Sequence, residues 1–329
     1  MPVSHPDVGM VVPTWYPADA DEALVRSLLE RTLVGVERYC RPEMVAVVLD
    51  GQPRWREAVG RAAEERGLRY LYLPTNLGKG GALAAGMAAV LPEEPAFIVT
   101  RDSDGDHRLE DMPALLELAR QMQEETGAGL VIVSGGRPDR ARPLGFERAQ
   151  YEILTDRVLW QALQFHSARM GRQLSSTYFA AFGDYPDIQS GYKVYSRAAA
   201  EMAATALSHA CEEGEGGGLS RCGVETIPAV EVLAAGGEMG VVARRTLQEQ
   251  PVSGYRGVDA RRMYAEPLAW ALRRLRVPGG SAAVLLDGAL LRSPLAFDYR
   301  RREELLAVRD WVLEALGAPR PLAWGARFV

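Results

Sequence analysis

Along the first half of the chain, short and continuous apolar runs alternate with longer stretches whose apolar residues recur every three or four positions. The first run is Val8–Thr14, closed by Pro13. Behind an acidic start at Asp21, the residues Leu24, Val25, Leu28, Leu29, Leu33 and Val36 keep helical spacing. Met44–Asp50 is a second run, followed by a helical segment over Trp55–Arg66, and Leu68–Pro74 is a third. The small-residue stretch Gly80–Leu91 predicts a helix that packs close to a sheet, and Ala96–Thr100 a fourth strand. Leu109, Met112, Leu115, Leu116, Ala119 and Met122 mark the next helix, and Gly129–Gly136 the fifth strand. Strands this evenly apolar, separated by amphipathic helices, predict an α/β fold with a mostly parallel central sheet and helices on both faces.

The second half is less regular. Gln150–Arg172 reads as a long helix carrying aromatics, Tyr192–Tyr195 as a strand, and GVVARR (240–245) as another strand behind a helix through Glu231–Leu233. Glu212–Gly218 is a low-complexity loop. Ala265–Arg276 and Arg301–Leu316 predict a C-terminal helical extension with a break at Pro278-Gly279-Gly280. The expected division is a sheet domain over 1–260, in halves of about 1–136 and 137–260, and a helical extension over 261–329.

In a parallel sheet, ligands bind beyond the carboxyl ends of the strands. Those ends are Pro13-Thr14-Trp15-Tyr16, Asp50-Gly51, Thr75-Asn76 and Asp102-Ser103-Asp104. Carboxylates crowded as Asp102 and Asp104 are repel each other unless a cation lies between them. Mg²⁺ or Mn²⁺ takes oxygen ligands and bridges one or two carboxylates to phosphates. A plain polar turn is the competing reading. Gly78, Gly80 and Gly81 flank Lys79 ahead of a helix, which puts backbone N–H groups and an ammonium where a phosphate binds. The spacing is neither a Walker A loop nor GxGxxG. Asp50 is suited to accept from a base or ribose hydroxyl, or to form an Asp-Gly turn. The four histidines make no metal-ligand pair, and His107 reads as a turn residue. Tyr192, Tyr195, Trp160 and Phe165 have the spacing of core aromatics, with stacking on a sugar as the other reading.

Bulk composition removes several classes. A chain of 329 residues with 47% hydrophobic and 25% charged residues is an ordinary globular protein, and its net charge of -5 gives no bias towards nucleic acid. The pairs Arg244-Arg245, Arg261-Arg262 and Arg273-Arg274 read as helix faces. Three cysteines without a CxxC fit a reducing compartment. The N-terminus lacks the pattern of a signal peptide, and no apolar run reaches the length of a membrane span. A soluble cytoplasmic protein without an integral membrane segment is expected.

Taken in order, Val11–Tyr16, Val47–Gly51, Asn76–Leu83, Asp102–His107 and Asp187–Arg197 resemble the family 2-type glycosyltransferases of GT-A fold, over roughly residues 8–255. The likeness is greatest to the branch of polyprenyl-phosphate sugar transferases and related small-acceptor enzymes. The resemblance implies a nucleotide-sugar half and an acceptor half. Pro13, Thr14 and Tyr16 would line the nucleotide pocket, Asp50 would take the base or ribose, and Asn76, Gly78 and Lys79 would lie beside the nucleotide sugar. Ser103 would lie with the nucleotide sugar, Asp102 would face ribose or metal, and Asp104 would hold Mg²⁺ or Mn²⁺. Arg256 would assist at the diphosphate. Asp187 is the expected general base, with Asp184 and Glu231 as rivals. Two departures stand out: Leu49 precedes Asp50 where an acid is common, and no Ser-Lys follows Arg256-Gly257. The expected reaction is metal-dependent, inverting transfer from a UDP- or GDP-hexose to a hydroxyl of a small soluble acceptor. A polyprenyl phosphate is the alternative acceptor. A sugar nucleotidyltransferase is a second alternative, weakened by the lack of a Gly-rich, Arg-containing N-terminal loop. A homodimer is left open.

Overall fold

Seven strands make one sheet in the computed structural model, which describes residues 4–212, 218–246, 259 and 261–318. They are β1 (Val8–Thr14), β2 (Val45–Asp50), β3 (Arg69–Leu73), β4 (Phe97–Thr100), β5 (Val131–Gly136), β6 (Lys193–Ser196) and β7 (Glu238–Ala243). Their spatial order is β3-β2-β1-β4-β6-β5-β7. All neighbours run parallel except β6, which is antiparallel to both β4 and β5. The carboxyl ends of β1, β2, β4 and β5 therefore share one edge with the amino end of β6, and the site is built there.

Alternation along each strand divides the core. Val8, Met10 and Val12 of β1 face a layer formed by α1 (Glu22–Leu33), α2 (Arg56–Glu64) and α4 (Met112–Thr126). Val11 of β1, with Ala46 and Val48 of β2, faces α3 (Gly78–Val90) and α6 (Arg197–Glu212) on the other side. The small residues of α3 let it approach closely: a Cβ at Gly86 would lie 2.3 Å from Val11 Cγ1. The mostly parallel sheet with helices on both faces matches the pattern read from the chain.

A third core lies at the β7 end. The long helix α5 (Phe146–Arg169) packs through Leu154, Val158 and Leu163 against α7 (Thr226–Ala234), α8 (Glu266–Arg274), α9 (Gly279–Leu290) and α10 (Tyr299–Ala315). The C-terminal helices thus share one apolar core with α5. The break expected at Pro278-Gly279-Gly280 falls at Pro278, whose extended backbone (φ -61°, ψ 145°) makes it the N-cap of α9, with Gly279 and Gly280 opening that helix. The Ala-rich helix α6 buries a stripe of Ala199, Ala200, Ala203, Ala204, Leu207 and Ala210.

Candidate active site

The loop after β4 is held from within. Arg101, only 2% exposed, donates from Nε to the His107 carbonyl at 2.6 Å and also bonds the Thr32 carbonyl. His107 Nδ1 accepts from the Asp102 N–H at 2.9 Å, and its ring stacks on Tyr192 with centroids 4.9 Å apart. Burial, and then the positive charge of Arg244, holds this imidazole well below its ordinary range, so it is neutral. Tyr16, itself buried, donates its hydroxyl to the Ser103 carbonyl at 2.9 Å. Two aromatic residues and a buried guanidinium therefore set the positions of Asp102 and Asp104.

Asp102 meets the glycine-rich loop. Lys79 Nζ lies 2.8 Å from Asp102 Oδ1 and 2.7 Å from Glu225 Oε1. This contact depends on a third segment, because a Cβ at Gly191 would fall 2.6 Å from Asp102 Oδ2 and 2.7 Å from Lys79 Nζ. The glycine of DIQSGYK is needed for that close approach. Asp50 is buried and accepts from the Leu77 N–H at 2.8 Å, while the Asn76 side chain accepts from the Gly78 N–H at 3.1 Å. Burial raises the Asp50 carboxyl above its usual range, and the backbone N–H groups of Leu77 and Gly78 oppose it. Asp50 thereby fixes the loop that opens α3.

Asp104 differs from its neighbours. Its Oδ1 accepts from the Asp106 N–H at 3.0 Å. Its carboxyl is pushed up to about 6, first by burial and then by the charge of Asp102. A divalent cation would relieve both effects. Among the described residues no three His, Cys, Asp or Glu side chains converge as a closed metal site. A pair of carboxylates at one strand end is the kind of donor set that suits Mg²⁺ or Mn²⁺, and the raised Asp104 carboxyl beside Asp102 is of that chemistry.

A cleft opens beyond these groups, lined by Lys79, Asp102 and His107 together with Arg137, Arg148 and Arg244. Each arginine is held by carboxylate. Arg137 follows β5 and bonds Asp187 twice, Nε to Oδ2 at 2.9 Å and Nη2 to Oδ1 at 2.8 Å. Its Nη2 also lies 2.9 Å from Glu152 Oε2, and Arg148 Nε lies 3.3 Å from Glu152 Oε1. Arg244 pairs with Asp106 at 3.0 Å. Behind them Arg140 joins Asp156 at 2.6 Å and Asp187 at 3.3 Å. Burial alone would raise the Asp187 carboxyl, but Arg137 and Arg140 outweigh it and hold the group well below the usual carboxylate range. Asp156 is pushed up to about 7 by burial, with Arg140 opposing and the charge of Asp187 adding.

Residues 11–200, which contain most of these groups, match the sequence model of glycosyl transferase family 2. The chain belongs to that family. A curated relative, an undecaprenyl-phosphate mannosyltransferase of Micrococcus luteus, is 29% identical over 146 residues. That stretch is 44% of this chain and 50% of the relative, so the chain spans about half the length of the curated relative it matches. Among solved structures, a mycobacterial protein aligns at 18% identity with a TM-score of 0.45, covering 82% of this chain and 75% of that one. TarS residues 1–349 of S. aureus align at 13% identity with a TM-score of 0.39, covering 94% and 88%.

The geometry of this family 2 glycosyltransferase brings Asp50, Asn76, Gly78, Lys79, Asp102, Ser103 and Asp104 to one edge, as expected from strand ends. Other expected residues sit differently. Pro13, Thr14 and Tyr16 end β1 but are buried, and Tyr16 braces the Asp102 loop instead of facing open space. Asp187, read as a general base, is fully buried with both oxygens bonded to Arg137. No lone pair is directed at the cleft, so the geometry does not suit a base. Of its rivals, Asp184 is exposed and Glu231 is paired bidentately with Arg274 at 2.6 Å. Arg244 is not on a helix face: it follows β7 and is buried. Arg256 lies outside the described residues. Periodicity also passed over Arg137, Arg148 and Glu225. Arg137 was within reach of the strand-end rule, standing directly after Gly136.

Proposed function

We propose that this family 2 glycosyltransferase moves a hexose from a nucleoside-diphosphate sugar to a phosphate oxygen of a polyprenyl phosphate. One observation carries the acceptor. Among the described residues, every carboxylate lining the cleft already has a cation: Asp102 and Glu225 have Lys79, Asp106 has Arg244, and Glu152 has Arg137 and Arg148. A hydroxyl acceptor needs a group to take its proton. A phosphate monoester arrives as an anion, needs none, and suits a wall of arginines. The undecaprenyl-phosphate acceptor in the relative's name agrees with this reading, and its mannosyl group makes GDP-mannose the first donor to test.

Lys79, backed by the amino end of α3, neutralises the leaving diphosphate. Asp104 and Asp102 would hold Mg²⁺ or Mn²⁺, which supplies further positive charge at that diphosphate. Arg148, the most accessible of the three arginines, orients the acceptor phosphate, while Asp187 and Glu152 position Arg137. An anionic phosphate oxygen attacks C1 as the C1–O bond to the diphosphate breaks, and the nucleoside diphosphate departs with the electron pair. Among the described residues that line the cleft no carboxylate stands unpaired to form a glycosyl-enzyme, which favours a single displacement with inversion.

The test is incubation with a nucleotide-sugar panel and Mn²⁺, offering undecaprenyl phosphate beside undecaprenol and small sugar alcohols. Product mass and anomeric configuration are then read. A glycosyl phosphodiester of inverted configuration is the expected product. Transfer to the alcohols with none to the phosphate would overturn the reading.

A further inference from the structure

One corner of the molecule takes no part in the chemistry above. Between α9 and α10 the chain reads Leu291-Arg-Ser-Pro-Leu-Ala-Phe-Asp-Tyr-Arg-Arg-Arg302. Alternate residues anchor it. Ser293 caps the short 294–297 turn, Leu295 and Ala296 are buried in the C-terminal core, and Asp298 caps α10 by accepting from the Arg301 N–H at 3.1 Å. Phe297 and Tyr299, on either side of the extended N-cap residue Asp298, are both turned out. Phe297 is 82% exposed, Tyr299 70% and Leu291 51%. Solitary exposed apolar residues are ordinary, but two aromatics and a leucine within nine residues are a feature.

Charge gathers with them. Arg292, Arg300, Arg301 and Arg302 stand in this segment against Asp298, in a chain whose net charge is -5. The Arg302 guanidinium lies 5.3 Å above the Tyr299 ring. The corner is also close to the cleft. Arg301 reaches Glu147 at 3.8 Å, at the start of α5, and the 294–297 turn packs on the same helix. Phe146 beside Glu147 is half exposed, and the next residue, Arg148, lines the cleft.

Aromatic rings flanked by arginines match the boundary of an anionic bilayer: the rings enter the headgroup layer and the guanidiniums meet lipid phosphates. No helix among the described residues is long and apolar enough to cross a membrane, so such contact would be made by the surface. We propose that the Leu291–Arg302 corner docks this protein on the surface of an anionic phospholipid bilayer, with the cleft rim turned towards the lipid. This docking surface is independent of the acceptor proposed above.

The test is flotation of the full chain with vesicles that contain no polyprenyl phosphate. Mixed phosphatidylglycerol–phosphatidylcholine vesicles should carry the protein, pure phosphatidylcholine vesicles should not, and high salt should release it. Phe297→Ser with Tyr299→Ser, and separately Arg292→Glu with Arg300→Glu, should each weaken binding by about tenfold or more while leaving Tm unchanged. If either variant fails to fold, the salt and lipid dependence of the unaltered chain decides. Absence of flotation overturns the proposal, as does flotation that neither variant reduces. A concentration-dependent dimer abolished by the ring variant, without lipid binding, overturns it in favour of a second copy on this face. Flotation together with failure to glycosylate undecaprenyl phosphate would leave the docking surface standing and remove the acceptor reading.

Discussion

Asp104 is an acid held where its charge is poorly solvated, and the consequence is a pH dependence with a definite sign. Its native carboxyl, near 6, lies above the ordinary carboxylate value of about 4. The folded state therefore holds a proton that the unfolded state has lost, and this group costs stability as pH rises from about 4 to 6. A divalent ion must displace that proton. Mn²⁺ affinity, measured by calorimetry, is expected to rise with pH through about 6 and then level off. Asp104→Asn should abolish both the affinity and its pH dependence. Asp187 behaves in the opposite sense. Its carboxyl is held low by Arg137 and Arg140, so it contributes stability at all pH values above the unfolded carboxylate range and loses it only in acid. Asp187→Asn leaves two buried guanidiniums short of a partner and should cost about 3–5 kcal/mol in urea unfolding. Asp156→Asn should cost far less near neutrality, because that acid already tends to keep its proton. An Asp187→Asn protein of normal stability and lost turnover would instead restore the base reading.

The elements show why some of this was legible in sequence. β1, β2 and β4 are continuous apolar runs ended by Asp, Thr or Pro, and their bounds lie within a residue or two of the pattern. The ends of β2 and β4 then point to Asp50 and Asp102 through the topology of a parallel sheet. β6 is different. It carries Lys193, a lysine fully buried beside Glu225 and Lys79 and pushed down to about 8 by burial, and it runs against its neighbours. Nothing local announces that orientation, yet it delivers Gly191 to the Lys79–Asp102 pair. Gly191→Ala is expected to separate that pair and weaken nucleotide-sugar binding by about tenfold, with a loss of stability of about 1–3 kcal/mol from the crowded Cβ. A thermal-shift titration with donor measures both. Donor binding unchanged in this variant would show that the Lys79–Asp102 contact does not shape the donor site.

At the scale of the whole molecule, the arginine cluster at the cleft was hidden because it is assembled from distant parts. Arg137 after β5, Arg148 on α5, Asp187 before β6 and Arg244 after β7 meet only through the fold, and each alone looks like a surface charge or a loop acid. Asp187 was singled out for its place in a motif, and only its bonds to Arg137 reveal that its lone pairs are already used. The same closure of the site makes a kinetic prediction about the proposed reaction. A phosphate acceptor brings its own negative charge, with a second ionisation near about 6. Its transfer step moves no proton. The rate of single-turnover transfer to undecaprenyl phosphate should therefore rise with pH through about 6, stay level to about 9, and show a solvent deuterium isotope effect close to about 1. A hydroxyl acceptor served by a base would place a proton in flight in the transition state and give a clearly larger effect, about 2 or more. Measuring that effect on the phosphate acceptor decides whether the arginine wall works alone or whether a carboxylate gives up its cation to act as a base.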